Sequence, residues 1–398
     1  MRNFKLDARL LCLSILAFVS CQTDTSEQDI KKIEQLTQQV KTQYAPDSRV
    51  AIFDIEATAI NDSYILNGST NIPKALSTLK HELSGLNIAF IDSVSVLPEA
   101  NLEGKTQGII ALSAANLRST PKHSAELVTQ GTLGMPVRIY KKQDNWYLIQ
   151  TPDNYIAWVD SGGVVPMDST SYDNWIQSEK LIYTKTFGSS FAKKDESGQV
   201  ISDLVAGNIL KLLERQDDFY QVEYPDGRKA FVSKSQGEPY TDWLTSLDQT
   251  KQSLVETSKT LMGLPYLWGG TSPKGVDCSG FTKTIFFLNG LIIPRDASQQ
   301  IHQGVLVDQD KDFSKLQPGD LLFFGKKATD STKERIVHVG MWIGNNEFIH
   351  SAGSVHISSV DKNDPNYDAY NINRYIRTKR ILDNKTEGII DLKDNALF

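Results

Sequence analysis

Apolar residues at Ile30, Ile33, Leu36 and Val40 recur at helical spacing and predict an amphipathic helix over 28–41. The run from Arg49 to Glu56 then reads as a strand. A second helix is predicted over 72–83, with Pro73 in its first turn, and a further strand from Ile88 to Leu97. Together these make a small α+β unit over 22–107. It carries no catalytic constellation, and His81 falls on the exposed side of its helix.

The next stretch repeats itself. The segment Asp144 to Val159 aligns without gaps on Asp217 to Val232. Asp144/Asp217, Tyr147/Tyr220, Pro152/Pro225, Asp153/Asp226, Ala157/Ala230 and Val159/Val232 coincide, and Trp146/Phe219 and Trp158/Phe231 exchange aromatics. Each copy reads strand, Pro-Asp turn, strand, preceded by another β-rich run such as 135–140 or 209–213. This pattern predicts two small β-barrels, over 108–166 and 176–236. Trp146, Trp158 and Phe219 fit barrel interiors, whereas Tyr155 falls at the turn.

A helix is predicted through Trp243, Leu244, Leu247, Leu254, Val255 and Leu261, running into the turn-rich stretch 263–275. Asp277-Cys278-Ser279-Gly280-Phe281 follows, and then the apolar run to Leu288, so a loop delivers a thiol to the start of a helix. A short helix with a cap at Asp296, a turn and strand over 317–324, and strands over 337–343 and 348–351 come next. The late runs 355–360 and 375–382 complete an antiparallel sheet.

The first residues change the picture of the cysteines. Arg2, Lys5 and Arg9 precede an apolar run from Leu10 to Val19, then Ser20 and Cys21. This is the layout of a secretory signal over 1–21, too short for a permanent membrane span. A small residue before a Cys resembles a bacterial lipobox, which implies Cys21 as the lipidated first residue of an exported, membrane-anchored, periplasmic lipoprotein. The alternative is ordinary cleavage nearby with a soluble product. On the lipoprotein reading Cys12 is discarded, and of the three cysteines Cys278 alone stays a free thiol. That segment carries three basic residues against one acid (Asp7), so its removal takes the net charge from −6 to −8. No basic stripe remains, which argues against nucleic acid and leaves a lipid anchor as the only membrane contact.

A lone Cys at a helix N-terminus, with histidines from elsewhere in the fold, reads as a nucleophile with its base. The alternative is a buried inert thiol. His338, in a Val-His-Val-Gly run, and His350 lie downstream, while His302 and His356 have no such context and are structural or exposed. Gly269 and Gly270 allow a tight turn or close backbone approach to a ligand. The Cys278 N–H is a candidate oxyanion donor. The histidines lack further ligands at metal spacing, so no metal and no cofactor is expected.

Tyr266-Leu-Trp-Gly-Gly, Asp277-Cys-Ser-Gly-Phe, Pro294-Arg-Asp, Pro318-Gly-Asp-Leu, His338-Val-Gly and His350, in this order, resemble the NlpC/P60 family of papain-like cysteine peptidases. The resemblance covers 252–385. It implies a multidomain α+β architecture: an N-terminal α+β unit, two SH3-like barrels and a C-terminal papain-like domain. It also implies a triad of Cys278, His338 and His350, with Cys278 attacking the scissile carbonyl, His338 moving the proton and His350 orienting the base. The whole arrangement resembles γ-D-glutamyl-L-diamino-acid endopeptidases acting on murein peptides with a free N-terminal L-Ala. That likeness implies substrate contacts from Asp296, Tyr266, Asp277 and Ser279, with Tyr155 and Glu126 from the first SH3-like domain, in a monomer. Asp296 is equally placed to cap its helix, Tyr266 to pack in its loop, and Glu126 to be a solvated charge. Two other readings stay open: a broader D,L-endopeptidase on intact peptidoglycan, and a non-catalytic wall-binding lipoprotein.

Overall fold

The computed structural model describes residues 20–61 and 63–398. The expectations placed on residues 1–19 and on the Cys21 side chain fall outside what is described. The chain divides into two compact units, Met1–Leu97 and Pro98–Phe398.

In the first unit, helices Ser20–Tyr44 and Pro73–Gly85 accompany a three-stranded sheet. Ile33, Val40, Phe53, Leu66, Leu76, Leu79 and Leu83 form its core. Strand Phe53–Ile60 pairs antiparallel with Ser63–Thr70, which in turn pairs parallel with Phe90–Val96. The middle strand escapes the hydrophobic pattern because only alternate residues near its start, Tyr64 and Leu66, are buried apolar side chains. Its Gly68 has φ +124°, and a Cβ there would lie 1.9 Å from the Asp54 carbonyl oxygen. Glycine is what lets the two backbones meet.

The second unit opens with two seven-stranded sheets built on the repeat. The duplicated hairpins are Trp146–Gln150 with Ile156–Asp160, and Phe219–Glu223 with Lys229–Ser233. Both copies enter their first strand through an Asp in the left-handed region, Asp144 at φ 50° and Asp217 at φ 38°. The predicted barrels are corrected in one respect: among the described residues, neither sheet closes on itself by strand pairing. In the first sheet the outer strand Leu127–Thr132 meets the C-terminal part of the unit instead. There Gln130 N–H donates to Thr271 Oγ1 (3.1 Å) and Gln130 Oε1 accepts from Thr271 N–H (3.0 Å). In the second sheet the outer strand Gly237–Pro239 ends in a proline that has no N–H to offer.

The predicted helix through 243–261 is two helices, Tyr240–Ser246 and Lys251–Thr260. Gln249 at φ 48° breaks the path, and a capping box of Thr250 with Ser253 starts the second helix. Beyond it a six-stranded sheet runs in the order Val305–Asp308, Tyr375–Arg380, Leu321–Lys326, Arg335–Gly344, Glu347–Ala352, Ser354–Ser359. Helix Cys278–Phe287 packs Phe281 and Ile285 against Phe323, Val339, Met341 and Ile349 of this sheet. Leu322, Phe324, Trp342, Phe348 and Tyr375 form a separate cluster. The central strands therefore read as nearly continuous apolar runs rather than alternating ones.

Candidate active site

Cys278 is the first residue of its helix, and Asp277 is the cap. Asp277 Oδ1 accepts the Gly280 N–H at 2.7 Å, and Oδ2 accepts the Gly269 N–H at 3.0 Å. The same carboxylate is held by Arg295, Nη2 to Oδ2 at 2.6 Å and Nη1 to Oδ1 at 3.2 Å, while Arg295 Nη1 also donates to Ser279 Oγ at 2.9 Å. Arg295 is 1% exposed. Asp277 and Ser279 thus form a buried frame around the helix start. Burial weighs against the Arg295 charge, but the Asp277 carboxylate outweighs it and holds that charge above the ordinary arginine range.

The buried Cys278 thiol is pushed up to about 12, chiefly by desolvation and then by the Asp277 charge. The Val339 N–H, Arg295 and the Ser279 N–H act in the opposite direction. Val339 follows His338, so the thiol lies against the backbone of the histidine strand.

The strands Arg335–Gly344 and Glu347–Ala352 are neighbours and bring the two histidines together, His338 Nε2 to His350 Nδ1 at 2.7 Å. Gly340, in the His338-Val-Gly run, makes room: a Cβ there would lie 2.8 Å from Phe348 and 3.2 Å from His350. Phe324 and Phe348 pack beside the imidazoles, at 5.8 Å from His338 and 4.8 Å from His350. Burial, then the charges of Arg374 and His356, lowers His338 to about 3; burial, then His338, lowers His350 to about 2. Both rings are therefore neutral at pH 7.

The polar chain continues past the two histidines. His350 Nε2 meets Ser358 Oγ at 3.0 Å, and Asp368 Oδ2 lies 3.8 Å from the same nitrogen. His356 pairs in register with His350, with ring centroids 4.4 Å apart. These contacts link the tautomers of the two rings. For His338 Nδ1 to accept a thiol proton, the ring's own proton must sit on Nε2 and be donated to His350 Nδ1. The His350 proton then sits on Nε2 and is donated to Ser358.

Tyr266 and Asp296 adjoin the Arg295–Asp277 frame, while Glu126 contacts the loop that leads to it. Tyr266 is half-buried, and its phenol is pushed up to about 12 by burial and by the neighbouring Cys278 and Asp277. Asp296 caps helix Ala297–Gln300, and its Oδ2 accepts from Tyr155 Oη at 3.3 Å. Glu126 Oε1 accepts from Trp268 Nε1 at 2.8 Å, with Trp268 63% exposed. Gly269, at φ 79°, approaches protein rather than ligand: a Cβ there would strike the Leu127 carbonyl oxygen at 2.2 Å. Sequence reasoning missed Ser358, Asp368 and the role of Arg295, and it read His356 as lacking context. The one signal for His356 was its place in the run 355–360, only a few residues after the strand that carries His350.

Fold and site together define an α+β hydrolase unit joined to SH3-like sheets. Residues 263–374 match the NlpC/P60 family, and residues 113–165 and 191–236 match the bacterial SH3 domain. The chain is 31% identical to a gamma-D-glutamyl-L-lysine dipeptidyl-peptidase of Bacillus cereus, over 65% of this chain and 76% of that protein. It is 28% identical to dipeptidyl-peptidase 6 of Lysinibacillus sphaericus, over 65% of this chain and 93% of the relative. A crystal structure of an NlpC/P60 family protein from Bacillus cereus superposes with a TM-score of 0.57 at 30% identity, covering 69% of this chain and 99% of the other. The chain belongs to the NlpC/P60 family and is a peptidase of that type.

Proposed function

We propose that this chain is a cysteine peptidase that hydrolyses the γ-D-Glu–L-diamino acid bond of free murein peptides beginning with L-Ala. Cys278 is the nucleophile. With Nε2 of His338 committed to His350, Nδ1 is the nitrogen that takes the thiol proton and later returns it to the leaving amine. Burial keeps thiol and imidazole neutral at rest, so the proton moves as the carbonyl is attacked. The Cys278 N–H, at the helix start, serves the developing oxyanion.

One observation carries the substrate reading: the contact between Tyr155 of the first SH3-like sheet and Asp296 beside the Arg295–Asp277 frame. It sets a carboxylate and a phenol at one end of the site, where a terminal ammonium group would find its counter-charge. The names of the Bacillus cereus and Lysinibacillus sphaericus relatives support the same reading. Tyr266 lines the pocket, Asp277 and Ser279 act through their frame, and Glu126 with Trp268 forms the rim. Export as a monomeric lipoprotein anchored through Cys21, on the periplasmic side, belongs to the same proposal.

Mass spectrometry of products from L-Ala-γ-D-Glu-L-Lys and -meso-diaminopimelate peptides, free and N-capped, tests it. Cleavage after D-Glu in the free peptides alone is expected, and Cys278→Ala abolishes it with the fold retained. Equal cleavage of capped peptides or intact glycan-linked stems would reject the substrate; retained turnover in Cys278→Ala would reject the nucleophile.

A further inference from the structure

The two copies of the Pro-Asp turn supply an internal comparison. Their backbones match: Thr151 N–H donates to the Tyr155 carbonyl at 2.9 Å, and Tyr224 N–H to the Arg228 carbonyl at 2.8 Å. The fourth residue of each turn is left-handed, Asn154 at φ 66° and Gly227 at φ 87°. Their aspartates differ. In the second copy Asp226 pairs with Arg228 of its own turn at 2.7 Å, on the surface, with side chains 36% and 42% exposed. In the first copy Asp153 is turned inward and ion-pairs with Lys283, with side chains 2% and 11% exposed. Its other oxygen, Oδ1, accepts from Thr151 Oγ1 at 2.7 Å and so braces the turn.

Lys283 lies on the helix that begins at Cys278, five residues further on. A lysine in the middle of an otherwise buried helix face is costly. Desolvation lowers its proton affinity, and the Asp153 charge acts against that loss. Replacing such a pair by uncharged groups is often neutral for stability, so its presence calls for a reason in geometry. The position matching Arg228 is Tyr155, whose hydroxyl reaches Asp296.

We infer that the Lys283–Asp153 ion pair is a latch that seats the Tyr155 turn on the Cys278 helix and thereby sets selectivity for a free amino terminus. Both are positioning residues, and the inference rests on the function proposed above. It extends that reading to a buried pair outside the proposed triad and the proposed amine-binding groups.

The test uses the full chain carrying Lys283→Met, and the double variant Lys283→Met with Asp153→Asn, which removes both charges and keeps the Thr151 acceptor. The double variant guards against a single variant that fails to fold. Hydrogen exchange of the 151–155 amides reads the latch itself, and KM and kcat on free and N-capped peptides read its consequence. Faster exchange at 151–155 is expected, with KM for the free peptide rising on the order of tenfold to a hundredfold. The kcat and the rate on the capped peptide should barely move. Unchanged exchange, or an unchanged KM in a folded double variant, overturns the inference. Should the wild type cut free and capped peptides alike, the proposed substrate fails, and exchange alone decides the latch.

Discussion

Arg295→Met removes one partner from the frame that caps the nucleophile helix. The guanidinium is fully enclosed and makes two contacts with the Asp277 carboxylate and one with Ser279 Oγ. Deleting one member of a buried ion pair costs about 3–5 kcal/mol, because the other charge stays in a poor solvent. Here Asp277 would keep the Gly269 and Gly280 N–H donors and the Ser279 hydroxyl at 3.3 Å, so the loss should fall at about 3 kcal/mol. At about 2.1 cal/mol/K of unfolding entropy per residue over Pro98–Phe398, or roughly 1.6 °C per kcal/mol, the melting transition should drop by about 5 °C.

Asparagine caps helices as well as aspartate does, so Asp277→Asn in the Arg295→Met background leaves the cap and removes the orphaned charge. The double variant should recover at least about 2 kcal/mol of that loss. Thermal melts and urea titrations of the wild type, both single variants and the double variant give the coupling directly. A double variant that melts no higher than Arg295→Met would refute the reasoning, because the damage would then come from lost packing and not from an unpaired carboxylate.

Ser358→Ala deletes the acceptor for the His350 Nε2 proton; kcat should fall about 2- to 12-fold, the worth of one net hydrogen bond, with KM held. The pH profile of kcat/KM should move with it, and Ser358→Thr should restore both; a change in KM alone would exclude a role in orienting the proton. Stability should fall as the solution is acidified. The histidines are held at about 3 and about 2, below the ordinary 6.5, so the unfolded chain binds protons that the folded chain refuses. Their contribution is complete above pH 6.5 and fades as pH falls toward 3, by up to about 1.4 kcal/mol per pH unit for each histidine. Melts from pH 7 to pH 4 check this, and a slope that His350→Asn leaves unchanged would assign the acid sensitivity elsewhere.

What could be read from the sequence was whatever chemistry concentrates in short runs. The Cys278 helix start, the His338 and His350 strands and the duplicated Pro-Asp turn each carry their signal within a few residues. The gap between helices Tyr240–Ser246 and Lys251–Thr260 escaped notice because Leu247 and Leu254 continue the apolar spacing across it. Thr250 with Ser253 was the local cue to the break. The open sheets, the Ser358 contact and the Arg295 frame depend on register and on partners distant in the chain. Gln130 meets Thr271 across 141 positions, and no periodicity within either segment encodes that contact.

The parts that could not be read locally converge on one element. Helix Cys278–Phe287 begins with the proposed nucleophile, and its cap Asp277 is tied to Arg295, the neighbour of Asp296 in sequence. Further along, Lys283 is tied to Asp153, two residues from Tyr155. Asp296 and Tyr155, the two groups proposed to receive the terminal amine, are thus each linked by a buried charge pair to the helix that carries the thiol. A helix rises about 1.5 Å per residue and resists stretching, so on the proposed function it holds the amine-binding groups and the thiol to one rigid element. On that reading, the reach from Asp296 to Cys278 would select for the peptide unit between the free amine and the scissile bond. A longer amino-terminal extension would move the amine away from the Asp296 carboxylate and lose that counter-charge.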